Sequence, residues 1–192
     1  MHRLACIPLL VICAAPAYAQ SDLVFAHIAL GGNPAYETVL QVINEVEADN
    51  PIVIEVYQGR LSGAANGTPL PVAFDGGVPA ATRSVTLAPF QELTTLLTVD
   101  GTTLRNGWLR VRSSLAGGKI SANLLFRQRS GSTIIDSVGA TSPQKYRRAV
   151  IQVDQREAGS DTGVAFVNSD STPVNVTLDL YQERTGLRPP CP

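Results

Sequence analysis

The stretch from Thr38 to Gln58, TVLQVINEVEADNPIVIEVYQ, comes back from Thr162 to Gln182 as TGVAFVNSDSTPVNVTLDLYQ, and the two align without a gap. Thr38, Asn44, Tyr57 and Gln58 meet Thr162, Asn168, Tyr181 and Gln182, while Leu40, Ile52, Ile54 and Val56 meet Val164, Val176, Leu178 and Leu180. Self-similarity of this kind marks an internal repeat, one supersecondary unit used twice. A unit of two strands buries its apolar face only against further strands, so the fold must supply a covering for it.

Within the unit, Leu40, Val42 and Asn44 share one face of an extended segment, and Val39, Gln41 and Ile43 share the other. After the polar turn EVEADNP, Ile52, Ile54 and Val56 point inward and Val53, Glu55 and Tyr57 outward. Period-two alternation on both sides of a turn predicts a half-buried antiparallel hairpin. Further strands are expected at Val24–Leu30, Pro71–Phe74, Arg83–Leu87, Glu92–Val99, Gly107–Ser113, Ile120–Gln128, Thr133–Val138 and Ala149–Val153. Turn signals separate them: Asn66-Gly67, Asp75-Gly76-Gly77, Pro89, Gly117-Gly118 and Ser130-Gly131-Ser132,. No stretch carries a sustained helical period with caps. Strands spaced this way predict an all-β fold, an antiparallel β-sandwich of the immunoglobulin-like or jelly-roll-like kind. One domain is expected over 20–192, with 148–182 repeating 24–58 as a partial second copy.

The motifs in Thr38–Asn44, Ile52–Gln58, Gly107–Val111 (GWLRV) and Asp136–Ala140 (DSVGA) resemble, in this order, tandem β-sandwich modules of large secreted proteins of environmental bacteria. The likeness spans most of the chain and rests on short structural motifs. It implies the sandwich fold and an extracellular setting; that family has no assigned activity, so the resemblance brings no catalytic residues. The chain departs from the pattern after Gln182, where the sequence runs out in LRPPCP and the second copy has supplied only its opening strands. Two arrangements are open. Ala149–Gln182 completes the first sandwich as its last strands, which is the expectation adopted, or it exposes an edge for pairing with another chain.

Met1–Ala19 is built as a secretory signal: Arg3 at the start, an apolar run from Leu4 to Ala15, and Ala17-Tyr18-Ala19 as cleavage site,. A secreted or periplasmic protein is expected. The run is shorter than a membrane span, and no later stretch approaches the roughly 18 uninterrupted apolar residues a span needs. Cys6 and Cys13 leave with the signal, so Cys191 is the single remaining thiol and no intrachain disulfide is available. It is either an incidental residue of the tail or an intermolecular link. A hydrophobic content of 44% with a formal net charge of −1 excludes a disordered chain,.

Groups able to carry chemistry are few. His27, the one histidine after the signal, sits inside an apolar strand and reads as a packed strand residue rather than a general base,. There is no G-x-S-x-G elbow and no cysteine cluster for zinc,. Glu45, Glu47 and Asp49 gather at the turn of the repeat, but Ser169, Ser171 and Pro173 take their places in the second copy. That makes the acidic group a solvated turn rather than a pair of catalytic carboxylates. Neither it nor Asp154, Glu157 and Asp161 follows calcium-loop spacing,. The expectation is no enzyme, no cofactor and no metal.

Charge is distributed more tellingly than its total. Ser21–Leu104 carries two basic residues against nine acidic, and Arg105–Arg148 nine basic against Asp136 alone. Such asymmetry has two readings: a basic surface for polyanions such as acidic polysaccharide, or complementarity between strands or neighbouring modules. Trp108 lies in the basic stretch, and on a regular strand it shares a face with Arg110 and Arg112 while Leu109 and Val111 share the other,. Either that face is outward and binds a glycan by stacking and cation–π contact, or Trp108 is the core anchor of the sandwich. The expectation that follows is a non-enzymatic structural or adhesive module in an extracellular or envelope assembly. Its partners would be other such proteins or like modules, with nucleic acid disfavoured. The rival is a glycan- or polyanion-binding module using Trp108, Arg110 and Arg112.

Overall fold

The computed structural model describes residues 21–59, 67–141, 148–151, 163–170 and 172–180. The expected signal segment and Cys191 lie outside the described residues. Among these, the strands are β1 (Asp22–Leu30), β2 (Ala35–Asn44), β3 (Asn50–Gln58), β4 (Ala73–Phe74), β5 (Thr82–Leu87), β6 (Glu92–Thr98), β7 (Arg105–Ser113), β8 (Ile120–Ser130) and β9 (Thr133–Thr141). They form a four-stranded sheet, β1-β7-β3-β5, and a five-stranded sheet, β4-β6-β2-β8-β9, antiparallel throughout. The fold is an antiparallel β-sandwich with no helix among the described residues, and hence none long and apolar enough to cross a membrane.

The hairpin expected from the repeat is not formed. β2 runs between β6 and β8 in one sheet, β3 runs between β5 and β7 in the other, and the turn carries the chain across the core. Alternation records that each strand has one buried face; two strands facing each other across a core show the same pattern as two strands side by side. The inward residues fall on single faces of the alternation: in β3 the face expected to be inward, in β2 the face of Leu40 and Val42, and in β7 the face of Leu109 and Val111. Leu40, Val42, Ile52, Ile54, Val56, Leu109 and Val111 are all fully buried, and they meet Leu87, Leu97, Ile120 and Leu124 from the remaining strands. In β1, Phe25 and Ile28 both point inward although three residues apart, because the register with β7 shifts between them at a bulge,. The first residue of the GWLRV motif has its own reason: a Cβ on Gly107 would lie 2.3 Å from the Tyr57 carbonyl oxygen. That close approach of two backbones excludes any side chain.

The arch between β2 and β3 is held by two buried asparagines. Asn44 Nδ2 donates to Ala48 O at 2.9 Å and to Ala88 O at 2.8 Å, and its Oδ1 accepts from Val46 N at 3.3 Å and from Asn50 Nδ2 at 3.0 Å. Asn50 Oδ1 accepts from the Ser113 hydroxyl at 2.6 Å. The arch, the β5–β6 connection and β7 thus meet in one satisfied polar cluster, as full burial of both side chains requires,. Thr38, also buried, donates from its hydroxyl to Ala29 O at 3.1 Å and ties β2 to β1 across the sheets.

The segment expected to complete the sandwich does not do so in its described part. Residues 149–151 of the expected Ala149–Val153 strand form no strand, and 163–170 and 172–180 join neither sheet. Residues 152–162, 171, 181 and 182 of that segment lie outside the described residues. The flanks of β2 and β3 that a returning segment would occupy are already taken by β5, β6, β7 and β8.

Candidate functional site

Because Leu109 and Val111 are buried, Trp108, Arg110 and Arg112 of β7 face outward on the four-stranded sheet. Trp108 is not the core anchor: it is half-buried on this outer face and stacks on Tyr57, its direct cross-strand partner on β3, with ring centroids 4.2 Å apart and planes 16° from parallel,. The indole Nε1 is shielded from solvent and has no hydrogen-bond acceptor among the described residues.

Both arginines of this face are engaged. Arg110 Nε donates to Asp22 Oδ1 at 2.8 Å, its Nη2 to the other oxygen of the same carboxylate, and Arg112 forks onto Glu55 with both bonds at 3.0 Å. Asp22 lies on β1 and Glu55 on β3, so each bond clamps β7 to a neighbour. A third pair, Arg129 to Glu37 at 3.2 Å, does the same between β8 and β2 on the other sheet. Each joins the basic stretch to the acidic one before it. The charge asymmetry of the sequence is met at these three arginines within the molecule, at Arg110 and Arg112 through bidentate geometry that suits guanidinium to carboxylate and at Arg129 through Nη1 alone,. The hydrogen bond to Asp22 raises the Arg110 pKa, against desolvation, with the Asp22 charge adding to it. Burial, then the Glu55 charge and its hydrogen bond, raise the Tyr57 pKa, while Arg110 and Arg112 pull it back.

A fourth ion pair closes one side of the sandwich. Asp75, at φ 54°, accepts from Arg83 of β5 at 2.6 Å, from the Thr95 hydroxyl of β6 at 3.1 Å and from Leu96 N at 2.9 Å. Burial would raise its pKa, but the Arg83, Leu96 and Thr95 hydrogen bonds and the Arg83 charge together hold it below the usual value,. β5 and β6 belong to opposite sheets, so the cluster is a clip between them.

The opposite side has no such clip among the described residues. β1 is the last strand of the four-stranded sheet, and His27 in its bulge meets the ring of Phe126 on β8, 5.7 Å between centroids. Desolvation by its neighbours lowers the His27 pKa, although its surface remains partly exposed. β9 continues the five-stranded sheet past β1. Its Val138 and Ala140 pair with Phe126 and Leu124 and so share their inward face. Yet Val138 is 60% exposed where Leu124 is 2% exposed, because among the described residues the four-stranded sheet has no strand opposite β9.

A cleft of about 300 Å³ lies at one end of the sandwich, lined by Gln58, Leu70, Val99, Asp100 and Arg105 among others. Among the described residues Asp100 is the one carboxylate in its lining, where glycoside hydrolysis uses a pair,. Among the described residues no group of three His, Cys, Asp or Glu side chains is placed to hold a metal ion.

Sequence reasoning grouped Trp108, Arg110 and Arg112 on one face but did not decide whether that face points outward, and it missed what fills it. Tyr57 and Glu55 stood at outward positions of an alternating strand, which was the available signal, whereas Asp22 lay before the expected Val24–Leu30 strand; the register of all three against β7 was not available. No family model matches the chain, and no curated protein is similar to it. Among solved structures, one described as the crystal structure of Thermotoga maritima 1070 is similar at a TM-score of 0.42 with 10% identity, covering 67% of this chain and 97% of that one. A likeness this distant carries no statement about what the chain does.

Proposed function

We propose that this chain is a structural or adhesive module of an extracellular or envelope assembly, secreted or periplasmic and not catalytic, which engages other proteins through apolar strand surfaces. One observation carries the reading. Ile52, Ile54 and Val56 are fully buried in the first copy of the repeat, whereas their counterparts Val176, Leu178 and Leu180 are 57%, 71% and 85% exposed in the second. A run of apolar side chains in strand alternation, with a sandwich interior as the known destination of its twin, is what a protein-binding strand offers. The engagement of Arg110 and Arg112 by Asp22 and Glu55 speaks in the same direction, since it lessens the charge available to a polyanion.

The test is retention of the purified mature chain on a panel of acidic and insoluble polysaccharides, beside an extract of its own cell envelope. Trp108→Ala and Leu178→Lys serve as the two variants. Retention by envelope protein that Leu178→Lys abolishes and Trp108→Ala leaves unchanged supports an assembly module. Retention on a polysaccharide that Trp108→Ala abolishes overturns it in favour of a glycan-binding module built on the Trp108–Tyr57 stack.

A further inference from the structure

The sandwich is closed on one side and open on the other, and the chain carries a strand that fits the opening. On the closed side the Asp75–Arg83–Thr95 clip joins β4, β5 and β6. On the open side the sheets end unequally. The His27–Phe126 contact brings β1 to β8, and β9 lies one strand further out with no strand facing it among the described residues. Neighbouring strands are about 4.8 Å apart and packed sheets about 10 Å, so a strand added beside β1 would lie above β9, in the vacancy that the described strands leave,. Its floor is Val138, Ala140 and Phe126, and its wall is the outer edge of β1, with which no other strand pairs among the described residues.

Residues 174–180, VNVTLDL, have the matching pattern. Val174, Val176, Leu178 and Leu180 alternate with Asn175, Thr177 and Asp179, and all four apolar side chains are more than half exposed. Their counterparts in the first copy, Asn50–Val56, form part of β3, a strand of the four-stranded sheet. The vacancy is a missing strand of that same sheet. A strand entering there bonds its backbone to β1 and turns its apolar residues onto Val138 and Phe126, which is strand addition to an exposed edge.

We propose that the open side of one copy receives residues 174–180 of a second copy as a fifth strand of its four-stranded sheet, making this chain its own partner. The inference rests on the assembly reading above and names the partner. Donor strand and recipient edge are different surfaces, so the contact is heterologous and repeats head to tail into chains unless two copies close it by exchanging strands.

The experiment uses the mature chain in sedimentation equilibrium with two variants, Leu178→Lys in the donor and Val138→Lys in the recipient. Both positions are well exposed in the isolated chain, so both variants should keep the wild-type circular dichroism. Wild type is expected to associate with rising concentration, and each variant alone to associate at least about tenfold more weakly, since a lysine then enters an apolar contact. Mixed in equal amounts, the variants should form a dimer and stop there, because one intact donor meets one intact recipient. A wild type that stays monomeric overturns the proposal, and so does association that mixing fails to restore. If the monomeric wild type still binds an envelope protein through Leu178, only the identity of the partner fails. If it binds none, the assembly reading fails with it.

Discussion

Asn44 donates to the carbonyl four residues on, Ala48 O, and accepts from the amide two residues on, Val46 N. Asn168 repeats both bonds, to Thr172 O at 2.8 Å and from Asp170 N at 3.1 Å. The two copies of the repeat therefore make the same asparagine-centred turn, one buried in a sandwich and the other exposed to solvent. They differ in everything the turn does not control. β2 and β3 enter different sheets, whereas residues 163–170 and 172–180 enter none. The difference teaches that the turn is written in its own few residues, as side-chain-to-backbone bonds of this type are, while strand pairing depends on residues far away in the chain. The covering of the first copy comes from Thr82–Ser130, a remote stretch with no described equivalent around the second.

The comparison breaks most visibly in the apolar positions. Ile54→Ala should destabilise the chain by about 2–5 kcal/mol, the range for emptying a buried aliphatic site, and Leu178→Ala by less than about 0.5 kcal/mol. Urea unfolding of the two variants, at concentrations where the wild type is monomeric, reads the contrast directly. Equal losses would mean that the second copy is buried in solution, and the two copies would no longer differ.

Asparagine gives the next largest contrast. Asn44→Ala leaves the buried Asn50 amide and the Ala88 carbonyl short of a partner, which should cost about 2–4 kcal/mol; Asn168→Ala removes the same two turn bonds in solvent and should cost less than about 1 kcal/mol. The ratio of the two losses separates what burial adds to an identical turn.

The strands that cover the first copy can be loosened by acid. Asp75 has a depressed pKa in the folded chain, so its contribution is complete above the ordinary carboxylate value and is lost as pH falls through the folded one,. Wild type should therefore lose more stability than Asp75→Asn between about pH 4 and pH 2, and at neutral pH the variant should be the less stable of the two. An acid limb identical in both would remove Asp75 from the clip between β4, β5 and β6.

Much of this contrast was legible in the sequence, and the illegible part has a physical cause. Alternation separated the two faces of β2, β3 and β7 and assigned the inward one of β3, and Gly and Pro placed most of the turns, because both signals are local. The hairpin was misread as such because side-by-side and face-to-face strands alternate alike. That Trp108, Arg110 and Arg112 share a face was readable from alternation, but not that it points outward, which the burial of Leu109 and Val111 decides. The partners of that face, Tyr57, Asp22 and Glu55, were not readable, since they lie across sheet registers that local sequence does not encode. The vacancy beside β1 follows from counting strands in each sheet, which no stretch of sequence displays.

The smallest contrast probes charge at matching outward positions. Glu55 of β3 forks onto Arg112, and the repeat puts Asp179 at the same place in the second copy. The Glu55 side chain is 18% exposed and that of Arg112 44%, a partly shielded pair of good geometry. Glu55→Gln should cost at most about 1 kcal/mol, and less in high salt, which screens the exposed guanidinium end. Asp179→Asn should change stability by only a few tenths of a kcal/mol at any salt. Its effect belongs to association instead. A strand docked along β1 points Asp179 outward, on the same side as Asp22, so removing one of two like charges should tighten self-association, and more so at low ionic strength. A variant that weakens association would mean that Asp179 meets a cation there, with the added strand running in another register.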